Sequence, residues 1–189
     1  MERDILKENV GFQDQIFASF GGFSKISILD KNKILVKNFK NNKYIKKIEN
    51  NLFLVFTGIK RRADTIEKKK IRRINKNLKF LHEINNIAKQ ANINLIKELN
   101  PNFIGKLLHK TWQLKKKLQN QVSNTKIDKL YDKGLKSGAT GGKLLGAGSG
   151  GFILFYVPKT NQPVFKKNFS KMIIDFKFTK QGSKILEIK

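Results

Sequence analysis

Glycine recurs at Gly141, Gly142, Gly146, Gly148, Gly150 and Gly151, just ahead of the apolar run Phe152-Ile153-Leu154-Phe155-Tyr156-Val157. The pattern predicts strand, glycine loop, strand. Glycine loses more conformational freedom on folding than any other residue, so a cluster of this density carries a cost that a plain turn does not require. It implies a backbone that passes very close to something, or that takes φ > 0 repeatedly. Phosphate oxygens are the usual partner of such loops, because bare N–H groups converge on an anion. A glycine-rich bulge between two packed strands is the alternative that spacing leaves open. The other chemistry-bearing group is Asp14, in the first turn of a predicted helix that ends at Gly21-Gly22. The helix macrodipole favours an ionised carboxylate there. Taken alone, Asp14 reads as an ordinary first-turn acid.

Other chemistries are poorly supplied. The chain has no cysteine, which excludes a disulfide framework and a thiolate metal site. Its two histidines, His82 and His109, lie far apart in helix-like segments, so a histidine metal site is not expected. His109 falls among the apolar residues Ile104, Leu107, Leu108 and Trp112 and reads as packed or hydrogen-bonded. No apolar segment approaches bilayer length, and the start Met1-Glu2-Arg3-Asp4 lacks the apolar stretch of a signal peptide. A cytoplasmic location, with no membrane partner, is the expectation.

The formal charge of +26 would ordinarily raise nucleic acid as a partner. Lysine, asparagine and isoleucine are all abundant, however, and AT-rich codons yield the same charge without selection for a polyanion. Lysine also dominates over arginine, the better bidentate reader of bases and phosphates. Nucleic acid is therefore not taken as the main partner, although the field draws in any phosphorylated substrate. Lys68, Lys69, Arg72, Arg73, Lys76 and Lys79 read as the solvated face of a helix.

Around the loop, the chain is read as α+β. Two short helical pieces over Glu2–Phe20 break at Val10-Gly11. A hairpin follows, with Ile26 and Ile28 before the turn Asp30–Lys33 and Ile34 and Val36 after it. Asn41-Asn42-Lys43 is a polar connection, and Leu52–Phe56 a strand buried on both faces. Asp64 and Glu67 are spaced as a capping box for a long helix through Ile71, Ile74, Leu78, Leu81, Ile84 and Ala88. Asn100-Pro101 opens the next helix, and a third runs from Asn124 to Gly138. A short helix, a strand Ile173–Phe178 and a last strand Ile185–Ile188 close the chain. A mostly antiparallel sheet with helices on one side, in a ferredoxin-like arrangement, is the expected architecture.

Two motifs then stand together. Gly142-Lys143-Leu144-Leu145-Gly146-Ala147-Gly148-Ser149-Gly150-Gly151 resembles the third conserved motif of the GHMP kinases, and Glu8-Asn9-Val10-Gly11-Phe12-Gln13-Asp14-Gln15 resembles the segment carrying the catalytic aspartate in the sugar kinases of that group. With Leu107-Leu108-His109-Lys110-Thr111-Trp112-Gln113-Leu114-Lys115 and Thr57-Gly58-Ile59, the chain looks most like the D-glycero-D-manno-heptose 7-phosphate kinase branch. The resemblance implies transfer of the ATP γ-phosphoryl group to the anomeric hydroxyl of a heptose 7-phosphate, with Mg²⁺ between the phosphates. It implies Asp14 as the catalytic carboxylate, accepting or orienting the sugar hydroxyl's proton. It implies Gly146, Ala147, Gly148, Ser149, Gly150 and Gly151 as the ATP phosphate loop. Lys143, Gly11 and Gln13 become possible substrate or phosphate contacts; no metal ligand is identified.

The departures from the family pattern shape a further expectation. The motif Pro-x-x-x-Gly-Leu-Gly-Ser-Ser, which wraps the ATP phosphates in the family's N-terminal half, has no match here. Residues 1–50 are expected to be a remnant of the N-terminal kinase domain and 51–189 the C-terminal domain; the chain then reads as a split-gene subunit partnered by a separately encoded N-terminal half, as a truncated product, or as a sequence whose start is assigned too late. Ser149 stands where the branch usually has glycine, tolerable unless φ > 0 is required there. Phe12 stands beside Asp14 where a small polar residue is usual. A non-enzymatic ferredoxin-like interaction or regulatory module, derived from such a kinase, is the alternative reading.

Overall fold

A run of five apolar residues, Leu52–Phe56, cannot leave either face wet, and the chain folds to cover both. The computed structural model describes residues 13–30, 33–60, 77–118, 122–146 and 148–184. In chain order the elements are α1 (Gln13–Phe20), the strands β1 (Ser24–Asp30) and β2 (Lys33–Asn38), α2 (Asn42–Glu49) and β3 (Leu52–Phe56). Then come α3 (Leu78–Ile96), α4 (Phe103–Leu118), α5 (Thr125–Lys136), β4 (Gly141–Leu144), β5 (Phe152–Tyr156), α6 (Gln162–Phe169) and the short β6 (Ile173–Ile174).

The four strands β3 to β6 make one antiparallel sheet in the order β4-β5-β3-β6. With α5 and α6 as the two crossovers on one face, this is the ferredoxin-like order the sequence predicts. Strand alternation sends Phe53, Val55, Ile153 and Phe155 to that face, where they meet Ile127 and Tyr131 of α5 and Phe165 and Phe169 of α6. Phe155 and Phe165 are fully buried and meet edge to face, with centroids 5.4 Å apart. Burying each such ring contributes about 1.5–3 kcal/mol.

The opposite face is covered too, which the one-sided expectation misses. Leu52, Leu54 and Tyr156 pack against Tyr44 and Ile48 of α2, Ile104 and Leu108 of α4, and Phe176 and Phe178. The polar connection expected at 41–43 is the start of α2. The Asn41 side chain caps it by accepting the Tyr44 N–H at 3.0 Å.

Two further boundaries differ from the sequence reading. Helix α4 begins at Phe103, because the Asn100 side chain accepts the Asn102 N–H and its carbonyl the Phe103 N–H, forming a turn ahead of the helix. Pairing of the C-terminal strand ends at Ile174, opposite Leu54; Phe176 and Phe178 pack on the α2 cluster instead. The break at Val10-Gly11, the capping box at Asp64 and Glu67, most of the Lys68–Lys79 face and the strand Ile185–Ile188 lie outside the described residues. The hairpin β1–β2 forms its own two-stranded sheet, register Ile26↔Val36 and Ile28↔Ile34.

Candidate active site

The β4–loop–β5 unit is anchored before the chain enters the loop. The buried Tyr131 hydroxyl accepts the Gly142 N–H at 3.2 Å and donates to the Gly142 carbonyl at 3.1 Å. His109 Nδ1 lies 2.8 Å from the same hydroxyl, so His109 is a hydrogen-bonded packing residue. Burial pushes the Tyr131 phenol up to about 12. The next residue, Lys143, is partly buried opposite Leu154, and burial holds its amine below the usual lysine range.

Within the loop the backbone turns left-handed four times, at Gly146 (φ +65°), Gly148 (φ +114°), Ser149 (φ +62°) and Gly151 (φ +88°). Ser149 therefore occupies a conformation that disfavours an L side chain, and the proviso on that position applies. The glycines divide by what surrounds them. A Cβ at Gly148 would lie 2.9 Å from the Val122 side chain, and one at Gly150 would lie 2.9 Å from the Ile59 carbonyl. Those two are glycine because the protein's own segments press on them. At Gly146 and Gly151 no atom lies within 4 Å of the Cβ position, so these face open space.

Two segments hold the loop. The Ser149 N–H donates to the Val122 carbonyl at 2.8 Å, and the Gly151 N–H to the Ile59 carbonyl at 2.9 Å. Both N–H groups are thereby engaged within the protein. Thr57 donates its N–H and its hydroxyl to the Gly151 carbonyl, at 2.9 and 2.8 Å. The Lys115 ammonium, from the last turn of α4, donates to the Gly146 carbonyl at 2.5 Å. Asn124 caps α5 by accepting the Ile127 N–H, and its Nδ2 reaches the Ser149 carbonyl at 3.4 Å. The loop thus lies against the N-terminal turn of α5, the positive end of that helix. A lysine and a helix N-terminus bordering an exposed left-handed turn favour an anion over a neutral ligand.

Sequence reasoning finds the loop but misses Lys115, Asn124 and Val122, which hold it. Their signal was weak: one lysine among many, and a polar residue read only as a helix start. Asp14 and Gln13 are exposed in the first turn of α1. That helix is fastened elsewhere, by Ser183 donating its N–H and hydroxyl to the Ala18 carbonyl at 2.8 and 3.0 Å. The loop residues Gly146 and Gly148–Gly151 are thus grouped with Lys115, while Asp14 and Gln13 stand on a separately anchored helix. Gly11 and Ala147 lie outside the described residues. Among the described residues no three His, Asp or Glu side chains come together as metal ligands. None of the described helices is long and apolar enough to cross a membrane.

The GHMP kinases C terminal family model matches residues 92–172, which include α4, α5, the loop and β5. The chain is 32% identical over 190 residues to D-glycero-alpha-D-manno-heptose 7-phosphate kinase of Campylobacter jejuni, an alignment covering 97% of this chain and 56% of that protein. A crystal structure of a D-glycero-D-manno-heptose 1-phosphate kinase from Bacteroides thetaiotaomicron superposes with a TM-score of 0.71 at 24% identity, covering 98% of this chain and 53% of that one. Lactococcus lactis galactokinase complexed with galactose superposes with a TM-score of 0.64 at 19% identity, covering 89% and 52%. The chain spans about half the length of the relatives it matches.

Proposed function

We propose that this chain, whose residues 92–172 match the GHMP kinases C terminal family model, supplies the phosphate-facing half of an ATP-dependent sugar-phosphate kinase. The acceptor is the anomeric hydroxyl of D-glycero-D-manno-heptose 7-phosphate or a related sugar, following the Campylobacter jejuni relative. The observation that carries the reading is the loop Gly146–Gly151: left-handed at four residues, tied down on its inner side, and open at Gly146 beside the Lys115 ammonium. In this reading the open side of the loop faces the ATP phosphates, and Lys115 and the positive end of α5 balance their charge. Lys143, on β4 three residues ahead of Gly146, is proposed as a further contact to substrate or phosphate.

Asp14 is proposed as the carboxylate that takes or orients the sugar hydroxyl's proton, with Gln13 and Gly11 beside the sugar. Residues 1–50 are proposed to complete an N-terminal kinase domain, and 51–189 to form the C-terminal domain. The N-terminal half of such a kinase is the proposed partner. The hairpin supports this, since Ile28, Leu29, Ile34 and Leu35 are all exposed, as is Phe20 at the end of α1. Apolar surface of that kind marks an interaction site. Bound ATP would supply the transferable phosphoryl group. The described residues do not form a magnesium cage by themselves, and Mg²⁺ typically retains waters and phosphate oxygens as ligands.

Hydrogen exchange over residues 144–152 tests the loop assignment. The chain is mixed with the N-terminal half of the Campylobacter jejuni relative and measured with and without ATP. Slower exchange in this segment with ATP supports the reading. Unchanged exchange in a mixture that binds ATP elsewhere contradicts it and favours the interaction-module alternative.

A further inference from the structure

A second concave site lies away from the glycine loop. It is a groove of about 850 Å³ between α2, the open ends of the β1–β2 hairpin and residues 177–180. Its volume is that of a small-molecule site. Glu49 and Asn50, which line it, precede β3, whereas the glycine loop binds Thr57 and Ile59 beyond the other end of that strand. Five strand residues at ~3.3 Å each separate the two sites by roughly 16 Å. Asp14 lies at the far end of α1 from Gly22, another lining residue.

The floor is aromatic. Phe23 contacts Phe39 and Phe178, with ring centroids 5.8 and 5.4 Å apart, and all three rings are half-buried. The rim is cationic, with Lys43, Lys46, Lys47, Lys177 and Lys180. Its carboxylate, Glu49, is already engaged: Lys46 pairs with it and the Phe178 N–H donates to it. Burial would push the Glu49 carboxyl up, but these partners outweigh it and hold the group below the usual carboxylate range. Lys46 and Lys47 fall in the last turn of α2, where the helix dipole alone explains a cation. It does not explain Lys43, one turn earlier, nor Lys177 and Lys180 on a different segment. Cations from two separate segments converge on one aromatic-floored hollow, and their self-repulsion is relieved by a multiply charged anion.

We propose that this groove binds a small polyphosphate anion, its phosphates held by Lys43, Lys47, Lys177 and Lys180. A ring attached to the phosphates stacks on Phe23 and Phe178. The source of the polyphosphate is either a nucleotide or a bare chain of phosphates. The proposal is independent of the kinase reading, because neither the loop nor Asp14 takes part in it.

Calorimetric titration of the full chain with sodium tripolyphosphate and with ATP, at low salt and at 0.3 M salt, tests it. Replacing Lys43, Lys47, Lys177 and Lys180 together by alanine should weaken tripolyphosphate binding at least tenfold. A control replacing the exposed Lys129, Lys136, Lys159 and Lys167 by alanine makes the same charge change elsewhere. It should leave the affinity within about threefold. Tighter binding of ATP than of tripolyphosphate, reduced by Phe178→Leu, identifies the nucleotide as the source; equal affinities identify the bare polyphosphate. Lys115→Met, which disturbs the glycine loop, should leave tripolyphosphate binding at the groove unchanged, so the two readings fail separately. Equal loss in the groove and control variants, or no binding at low salt, overturns the proposal.

Discussion

Thr57 and Gly151 are joined by two hydrogen bonds to one acceptor: the Thr57 N–H and hydroxyl both donate to the Gly151 carbonyl. Thr57 is fully buried at the end of β3, so the sheet's central strand fixes the far end of the glycine loop directly. Thr57→Val keeps the shape and the backbone bond but loses the hydroxyl. It should cost about 1–2 kcal/mol in urea unfolding and speed amide exchange in residues 148–152. Unchanged exchange there would show that the hydroxyl does not hold the loop.

Ser149 gives a prediction of opposite sign. Its φ of +62° is one that glycine adopts freely and serine only at a cost. Ser149→Gly should raise the unfolding free energy measured in urea by about 0.5–1 kcal/mol, after the greater entropy of the unfolded glycine chain is deducted. A drop in stability would mean that the buried serine side chain contributes more through its contacts than the backbone strain costs.

Residues with strong local pattern are those the sequence places correctly. Leu52–Phe56 and Phe152–Tyr156 are apolar throughout and lie where expected. The cap at Asn124 and the stop at Gly138 (φ +97°) likewise mark α5. Helix α2 was missed although Tyr44, Ile45 and Ile48 recur at helical spacing, because that apolar stripe is only about one turn long and follows a polar Asn-Asn-Lys start. The glycine loop was legible, but its supports were not. Lys115 and Val122 reach it through tertiary packing, which no local spacing encodes. The aromatic groove joins residues more than a hundred positions apart, with the same limitation.

Helix α4 crosses β4 at a glycine pair. A Cβ on Gly141 would lie 2.0 Å from the Gly105 carbonyl oxygen, and one on Gly105 would lie 2.0 Å from Thr140 Oγ1. This approach sets the position of α4 and therefore of Lys115. Gly105→Ala should cost about 1–3 kcal/mol by overpacking. It should also displace Lys115 from the Gly146 carbonyl, seen as a changed amide shift at Gly146 or Ala147. A wild-type melting temperature would show that the contact is looser than the geometry indicates.

Tyr131 makes stability depend on alkaline pH. The unfolded phenol titrates near 10, while burial holds the folded one near 12. Below about pH 10 both states keep the proton and the stabilisation is complete. Between about 10 and 12 the unfolded chain loses its proton first, so stability falls as pH rises. Tyr131→Phe should flatten that decline and cost about 1–3 kcal/mol at neutral pH, because the Gly142 backbone groups lose their buried partner. An unchanged alkaline slope would assign it to the other tyrosines.

The kinase reading meets its most direct test in ATP turnover with D-glycero-D-manno-heptose 7-phosphate. The chain is assayed alone and mixed with the N-terminal half of the Campylobacter jejuni relative. Sugar phosphorylation in the mixture, reduced about 10²–10⁴-fold by Asp14→Asn, is the expected result. A mixture that assembles and binds ATP yet transfers no phosphate, or whose turnover is indifferent to Asp14→Asn, would contradict the proposed phosphoryl transfer or the role of Asp14 in it.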